Sequence, residues 1–257
     1  MEERDPVEPG PSARPAVEER GVPAYVAEFL GTFLLVLFVC TIVSVHSARG
    51  LGITDFAVIG LVHVFVLSFL IYTLGGTSGA HFNPAVTAAL AALRKISPAD
   101  ALIYVLVQLA GGVAGALVCK LILLDEGRAG SYGATTVSEQ FLQGRALPGL
   151  LVEALSAFVL MWAIMGTAVN PRGEKAWAGL VIGGTLGFAV MVFAPLTGAG
   201  FNPARTFGPA IVGNEFADFW IYVVGPLAGM LLAAFGYRYL VIEPQDKLER
   251  RPIDTLE

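Results

Sequence analysis

The stretch Gly79-Ala80-His81-Phe82-Asn83-Pro84-Ala85 returns in the second half of the chain as Gly198-Ala199-Gly200-Phe201-Asn202-Pro203-Ala204. Asn is a favoured N-cap residue, and Pro is pre-organised for the first position of a helix. Each copy therefore predicts the start of a short helix. Because an otherwise apolar chain has little use for Asn and Pro at matched positions, the duplication indicates that the two helix starts face each other and act together.

The composition is that of a membrane protein. Hydrophobic residues make up 55% of the 257 residues and charged residues 14%, whereas a soluble domain carries about 25% charged residues. A helix needs about 20 apolar residues to span a bilayer. Six stretches of that length are predicted at residues 24–45, 56–75, 101–124, 147–169, 176–195 and 217–241.

Two further apolar stretches, residues 83–93 and 202–213, are too short to cross, and each begins with Asn-Pro-Ala. We interpret them as re-entrant half-helices, which a bilayer tolerates only where protein buries their ends or where they line a water-filled cavity. The predicted fold class is therefore an all-α membrane protein with six transmembrane helices and two re-entrant half-helices.

The two halves also correspond outside the motif. Residues 28–33 (Glu-Phe-Leu-Gly-Thr-Phe) match residues 153–158 (Glu-Ala-Leu-Ser-Ala-Phe), and residues 108–111 match residues 226–229. Each half holds three spans, so the halves enter the membrane in opposite directions and form an inverted repeat. The predicted division is a first repeat at 23–124, an extracellular linker at 125–146, a second repeat at 147–242, and cytoplasmic tails at 1–22 and 243–257. The first tail is rich in Pro, Glu and Arg and is predicted to be disordered.

The placement of Lys and Arg predicts the orientation, because cytoplasmic loops carry an excess of both residues. The side that holds the termini would carry Arg4, Arg14, Arg20, Arg94, Lys95, Arg172, Lys175, Arg238, Lys247, Arg250 and Arg251, and the other side Arg49, Lys120, Arg128 and Arg145. Both termini are therefore predicted to be cytoplasmic. Short loops and the absence of an Asn-x-Ser/Thr sequon favour a plasma membrane.

On the paired motif and the repeat, residues 24–242 resemble the major intrinsic proteins, which are the aquaporins and their glycerol-conducting relatives. The resemblance implies a passive pore without a cofactor, in a homotetramer with one pore per subunit. A helix N-terminus carries roughly half a positive elementary charge. Two such ends meeting at the bilayer midplane repel cations and protons, while Asn83 and Asn202 donate hydrogen bonds to passing water.

The resemblance also implies the residues of the narrowest point. The family has an Arg directly after the second motif, which is Arg205 here, and a guanidinium inside a membrane is costly unless it is functional. The family's other three filter positions fall on His63, Val190 and Ala199. Strict water channels carry an aromatic ring at the position of His63 and a His at that of Val190. This quartet looks closer to plant vacuolar-membrane aquaporins, which the family associates with water plus ammonia, urea or hydrogen peroxide.

Several alternatives remain open from the sequence. A glycerol facilitator typically has an Asp after the filter Arg and a basic residue four positions later, where this chain has Thr206 and Ala210. A secondary transporter is a second alternative, since inverted repeats and broken helices also build carriers. A structural membrane protein with a closed pore is a third. No nucleophile–base pair, metal-ligand cluster or nucleic-acid signature is found, so an enzyme, a metal site and a nucleic-acid partner are not predicted.

Other polar and aromatic residues receive narrower predictions. The resemblance implies that Glu28 and Glu153 accept hydrogen bonds from the loops that lead to the half-helices, and a proton-coupled role is the alternative. His81 either faces the cytoplasmic side of the pore or bonds nearby backbone. The candidates for the apolar surroundings of the pore are Phe82, Phe201, Val62 and Val181. Cys40 and Cys119 are predicted to be small buried side chains.

Overall fold

The computed structural model describes residues 20–249, so the expectations for residues 1–19 and 250–257 lie outside the described residues. Every regular element in the described range is helical. The α-helices are Val22–Ser47 (α1), Asp55–Ser78 (α2), Pro84–Ala92 (α3), Pro98–Ile122 (α4), Glu139–Leu142 (α5), Ala146–Ile164 (α6), Ala178–Thr197 (α7), Pro203–Gly213 (α8), Ile221–Tyr237 (α9) and Glu243–Glu249 (α10).

Six of these segments are long and apolar enough to cross a bilayer, with mean hydropathies from 1.4 to 2.4. They are built on α1, α2, α4, α6, α7 and α9. The other two helices of the repeat, α3 and α8, are short, and each is capped by an Asn and begins with a Pro. The predicted fold class is confirmed.

The sixth span differs from the sequence prediction at both of its ends. It begins at Ile221 rather than at residue 217, because Asp218 has a φ of 50°, a left-handed conformation that a helix cannot contain. At the other end a π-turn at Arg238–Ile242 leads into α10, so residues 243–249 of the predicted tail are helical. An ion pair of 3.0 Å between Arg172 and Asp246 ties α10 to the loop after α6.

The helices pack in a pattern that repeats between the halves. α1 packs against α4 in the first half as α6 packs against α9 in the second, and α2 meets α7 where the halves join. Each half-helix lies against the last span of the other half, α3 on α9 and α8 on α4. An inverted repeat requires that each half-helix pack against the opposite half. This packing brings the two half-helices together at the centre of the helix bundle.

Glycines make the closest helix crossings possible. A Cβ atom at Gly111 of α4 would overlap the carbonyl oxygen of Phe29 in α1, and one at Gly229 of α9 would overlap that of Ala154 in α6. The two pairs occupy equivalent positions in the repeat. Small residues at such crossings let membrane helices approach until their backbones touch, and this packing fixes the position of the loops described next.

Candidate functional site

The two Asn residues of the repeated motif cap the half-helices and also join them. The side-chain oxygen of Asn83 accepts from the Ala85 N–H at 2.9 Å, and that of Asn202 accepts from the Ala204 N–H at 2.9 Å. Their amide nitrogens reach across the centre, where Asn83 Nδ2 donates to the carbonyl of Phe201 at 3.0 Å.

The reciprocal bond runs from Asn202 Nδ2 to the carbonyl of Phe82 at 2.8 Å. An amide NH₂ has two donors, and each Asn uses one of them here. Both Asn residues line the same cavity, so the second donor of each is available to a molecule inside it.

A buried carboxylate holds the loop before each half-helix. Glu28 is fully buried, and its Oε1 accepts from the Ser78 hydroxyl at 2.6 Å and from the His81 N–H at 2.9 Å, while its Oε2 accepts from the Phe82 N–H at 2.7 Å. Ala80 and Phe82 in this loop have φ values of 53° and 48°. Left-handed conformations of this kind cost about 1–3 kcal/mol each, and the hydrogen bonds to Glu28 hold them in place.

The second loop repeats this construction. Glu153 Oε1 accepts from the Thr197 hydroxyl at 2.7 Å and from the Gly200 N–H at 3.0 Å, and its Oε2 accepts from the Phe201 N–H at 2.6 Å. Ala199 and Phe201 have φ values of 55° and 54°. These are the contacts that the resemblance implies for the two glutamates, and neither carboxylate lines the cavity.

Two supporting tyrosines escaped the sequence analysis, whereas Gln108 has the hydrogen-bonding role that the sequence predicts for it. The hydroxyl of Tyr104 donates to the Ser78 carbonyl at 2.7 Å, and that of Tyr222 donates to the Thr197 carbonyl at 2.7 Å. The two tyrosines lie at equivalent positions of the repeat, so aligning the halves residue by residue could have found them. Gln108 Nε2 donates to Glu28 at 2.8 Å, a contact without a counterpart in the second half.

Two cavities meet at the predicted filter. An inner cavity of about 320 Å³ runs past Asn83 and Asn202 to Ala199 and Arg205. An outer cavity of about 440 Å³ is lined by Val190 and again by Arg205. His63 also lines both cavities, so the structure brings the four predicted filter residues together around the junction.

Arg205 is held by the linker between the repeats. Its side chain is 3% exposed, and its Nη1 donates to the carbonyl of Gly133 at 2.8 Å. Its Nε is buried and has no hydrogen-bond partner within the described part of the chain. Sequence reasoning missed Gly133, because nothing in the linker marks which carbonyl folds back onto the pore.

His63 presents a defined face to the junction. Its Nδ1 lies 2.8 Å from the carbonyl oxygen of Ile59, one turn earlier in α2. A carbonyl can only accept, so in the neutral imidazole Nδ1 carries the proton and Nε2 is left as an acceptor. The junction therefore offers donors from Arg205 and an acceptor from His63.

His81 lies beside the pore, as the first of its two predicted roles requires. It lines the inner cavity, and its Nδ1 lies 3.0 Å from the hydroxyl of Thr87 rather than bonding backbone. Its ring also meets the ring of Tyr104 edge to face, with centroids 5.2 Å apart. These contacts fix the imidazole beside the inner half of the cavity.

The prediction that Val62 and Val181 belong to the apolar surroundings of the pore is wrong. Val181 is 41% exposed and Val62 is half-buried, and neither lines the inner or the outer cavity. The inward faces follow the helical period of 3.6 residues, which on α2 brings Leu67 into the wall one turn after His63. Phe82 does line the inner cavity, but its ring also fills the space above Gly31 of α1, so packing is part of its role.

The comparisons with known proteins show the family to which the chain belongs. The family model MIP, the major intrinsic proteins, matches residues 17–237. The chain is 38% identical over 218 residues to "Glycerol uptake facilitator protein-like 6" of Lactiplantibacillus plantarum, which covers 84% of this chain and 97% of the relative. It is 36% identical over 244 residues to "Probable aquaporin AqpM" of Archaeoglobus fulgidus, and the match covers 85% of this chain and 97% of that relative.

A solved structure, the aquaglyceroporin from Plasmodium falciparum, superposes with a TM-score of 0.74 at 20% identity and covers 88% of this chain and 99% of its own. At that identity the likeness shows the fold alone. The chain belongs to the major intrinsic protein family, whose members are passive channels rather than enzymes. The resemblance to that family is confirmed.

The cysteines lead to a prediction on mercury inhibition. Cys40 and Cys119 are fully buried, and neither lines the inner or the outer cavity. We expect mercuric chloride to leave the water permeability of reconstituted protein nearly unchanged, and to remove most of it in the Ala199→Cys variant, whose new thiol lies beside Arg205. Stopped-flow light scattering measures both. Strong inhibition of the unmodified protein would mean that one of the native thiols reaches the lumen.

Proposed function

We propose that this protein is a passive channel for water that also passes small neutral solutes such as ammonia, hydrogen peroxide and urea, and that it excludes protons and ions. The observation that carries the proposal is the reciprocal bonding of Asn83 and Asn202 beside a cavity that continues to Arg205. The two half-helix N-termini then face one point in the membrane.

Exclusion of cations and protons follows from that arrangement. The positive ends of α3 and α8 repel a cation or hydronium, which must also lose its hydration. A water molecule loses little of its hydrogen bonding, because its oxygen can accept from the free amide hydrogens of Asn83 and Asn202. The adjoining aliphatic wall, which includes Leu67 and Leu186, offers nothing to its hydrogens. A water bound in this way cannot continue a proton wire.

The filter sets the range of solutes. Val190 and Ala199 carry no ring and no hydrogen-bonding group, so the opening beside Arg205 is wider and less polar than in strict water channels. The quartet with His63 is similar to that of plant vacuolar-membrane aquaporins, and this similarity supports passage of neutral molecules somewhat larger than water.

Glycerol conduction is the second candidate. A relative at 38% identity is named a glycerol uptake facilitator-like protein. Thr206 and Ala210 depart from the facilitator pattern, and Val190 with Ala199 supplies no aromatic corner for a carbon chain. A coupled carrier is disfavoured because Glu28 and Glu153 are fixed by three or more hydrogen bonds each and lie behind the cavity wall.

The membrane, the orientation and the oligomeric state of the channel are also proposals. We infer a multi-pass protein of the plasma membrane with both termini cytoplasmic, assembled as a homotetramer. Arg20, the first described residue of the chain, lines the inner cavity together with Lys95. Two basic residues at this mouth agree with an excess of basic residues on the cytoplasmic face.

Osmotic shrinkage of proteoliposomes tests the proposal. A passive pore gives fast water flux with a low activation energy and no need for an ion gradient. Repeating the measurement with urea, ammonia and glycerol ranks the solutes, and we expect glycerol to be the slowest of the three. Slow flux that depends on a gradient of a second ion would point to a carrier, and glycerol flux above that of urea would favour the facilitator.

The filter assignment gives a second prediction. His63→Ala removes a ring from the junction and is expected to raise the urea-to-water permeability ratio about tenfold, which corresponds to a barrier lower by about 1.4 kcal/mol. The matched control is Val62→Ala, the neighbouring residue on α2 that does not line a cavity, and its ratio should not change. Equal ratios in the two variants would remove His63 from the filter.

A further inference from the structure

The inner cavity is positively charged, and no acidic residue of the described part of the chain lies in its wall. Arg20, Lys95 and Arg205 line it, and no Asp or Glu among the described residues does. The wall between these cations is largely aliphatic, and includes Leu67, Ile71, Leu160, Ile164 and Ile182. A concave site with apolar walls and convergent groups of one charge is the usual form of a binding site for a small charged molecule.

Arg20 is held at the mouth by its backbone. Its N–H donates to Asp100 Oδ2 at 3.2 Å, and its carbonyl oxygen lies 2.7 Å from the hydroxyl of Tyr25. Tyr25 and Ser97 also contact the carboxylate of Asp100, at 2.6 Å each. Asp100 is 4% exposed and does not line the cavity. The guanidinium of Arg20 takes no part in these bonds. It lines the mouth and makes no ion pair within residues 20–249, although the Asp100 carboxylate lies close enough to interact with it electrostatically.

The far end of the cavity is positive as well. Arg205 is almost completely buried, and its Nε lacks a hydrogen-bond partner among the described residues. The N-termini of α3 and α8 lie between the two ends and add their positive dipole ends. This field favours an anion over a cation inside the cavity, and the aliphatic wall favours an apolar tail.

We propose that the inner cavity is a binding site for a small organic anion with a short alkyl chain, such as an alkyl sulfonate or carboxylate. The head group binds Arg20 and Lys95 at the mouth through charge-assisted hydrogen bonds, and the chain lies along the wall that includes Ile71 and Ile164. An anion bound there occupies the water path and blocks it. The block rests on the proposed water conduction, whereas the binding does not.

Two measurements on the full-length protein test the site. Calorimetric titration of the protein in an uncharged detergent with 1-propanesulfonate measures binding, and proteoliposome shrinkage with the anion on both faces measures block. We expect both effects with the sulfonate and neither with 1-propanol or propylammonium. 1-Butanesulfonate should bind about fourfold more tightly, since it buries one more methylene.

Variants at the mouth separate the site from general effects of salt. Arg20→Gln keeps the backbone bonds to Asp100 and removes one cation, so the dissociation constant and the half-blocking concentration should both rise about tenfold. Arg94→Gln is the matched control, because Arg94 is an exposed neighbour of Lys95 that does not line the cavity. It should leave both values unchanged.

The outcomes distinguish this site from the proposed function. Equal binding by the Arg20 and Arg94 variants, or equal block by propanol and propanesulfonate, overturns the anion site while water conduction stands. Binding that depends on Arg20 in a protein without water flux overturns the conduction proposal and leaves the anion site in place.

Discussion

Gly229→Ala is expected to lower the melting temperature of the protein in detergent and to reduce the fraction that elutes as a folded species. The added Cβ would overlap the carbonyl oxygen of Ala154, and a backbone carbonyl can move only if α6 and α9 separate. Overpacking of this kind costs about 3 kcal/mol. Size-exclusion chromatography and thermal unfolding followed by circular dichroism measure the loss.

Gly236→Ala is the matched control in the same helix. The nearest atom to a Cβ at Gly236 is a side-chain carbon of Trp162 at 3.9 Å, which is ordinary contact. The stability should stay the same or rise by about 0.5–1 kcal/mol, because Ala favours a helix more than Gly does. Similar losses in both variants would show that the crossing of α6 and α9 can relax around a methyl group, contrary to this account.

The repeat explains why much of the fold could be predicted from the sequence. A bilayer requires long uninterrupted apolar segments, so the six spans are visible in composition alone. Asn83 and Asn202 mark the half-helix starts because capping is a local property of a residue and its next few neighbours. Glu28 and Glu153 could be matched because both lie at the same position in their repeats.

Contacts without a counterpart in the other half could not be predicted. Gly133 reaches Arg205, 72 residues away, and Gln108 reaches Glu28, 80 residues away. No local pattern encodes such pairs, since they depend on how the linker and the spans pack. The prediction for Val181 is wrong for a related reason. The neighbouring helices decide which face of a uniformly apolar helix turns inward, and the hydrophobicity pattern of the helix does not mark that face.

Glu153→Ala is expected to destabilise the protein by about 3–5 kcal/mol, because three buried donors lose their acceptor. The N–H groups of Gly200 and Phe201 and the hydroxyl of Thr197 would remain buried without their acceptor. Unpaired buried donors cost about 1–3 kcal/mol each. The left-handed residues of this loop would then relax and move Asn202 away from the pore, so water permeability should fall nearly to that of protein-free liposomes.

Two further substitutions show whether the carboxylate acts in this way. Glu153→Gln keeps the side-chain length and one acceptor oxygen, so its stability and flux should lie between those of the unmodified protein and Glu153→Ala. Glu174→Ala removes an exposed carboxylate from the loop between α6 and α7 and should change neither quantity. If Glu153→Ala kept its flux while losing stability, the loop would hold Asn202 in place without the carboxylate, and the packing of Tyr222 against the loop would have to provide that support instead.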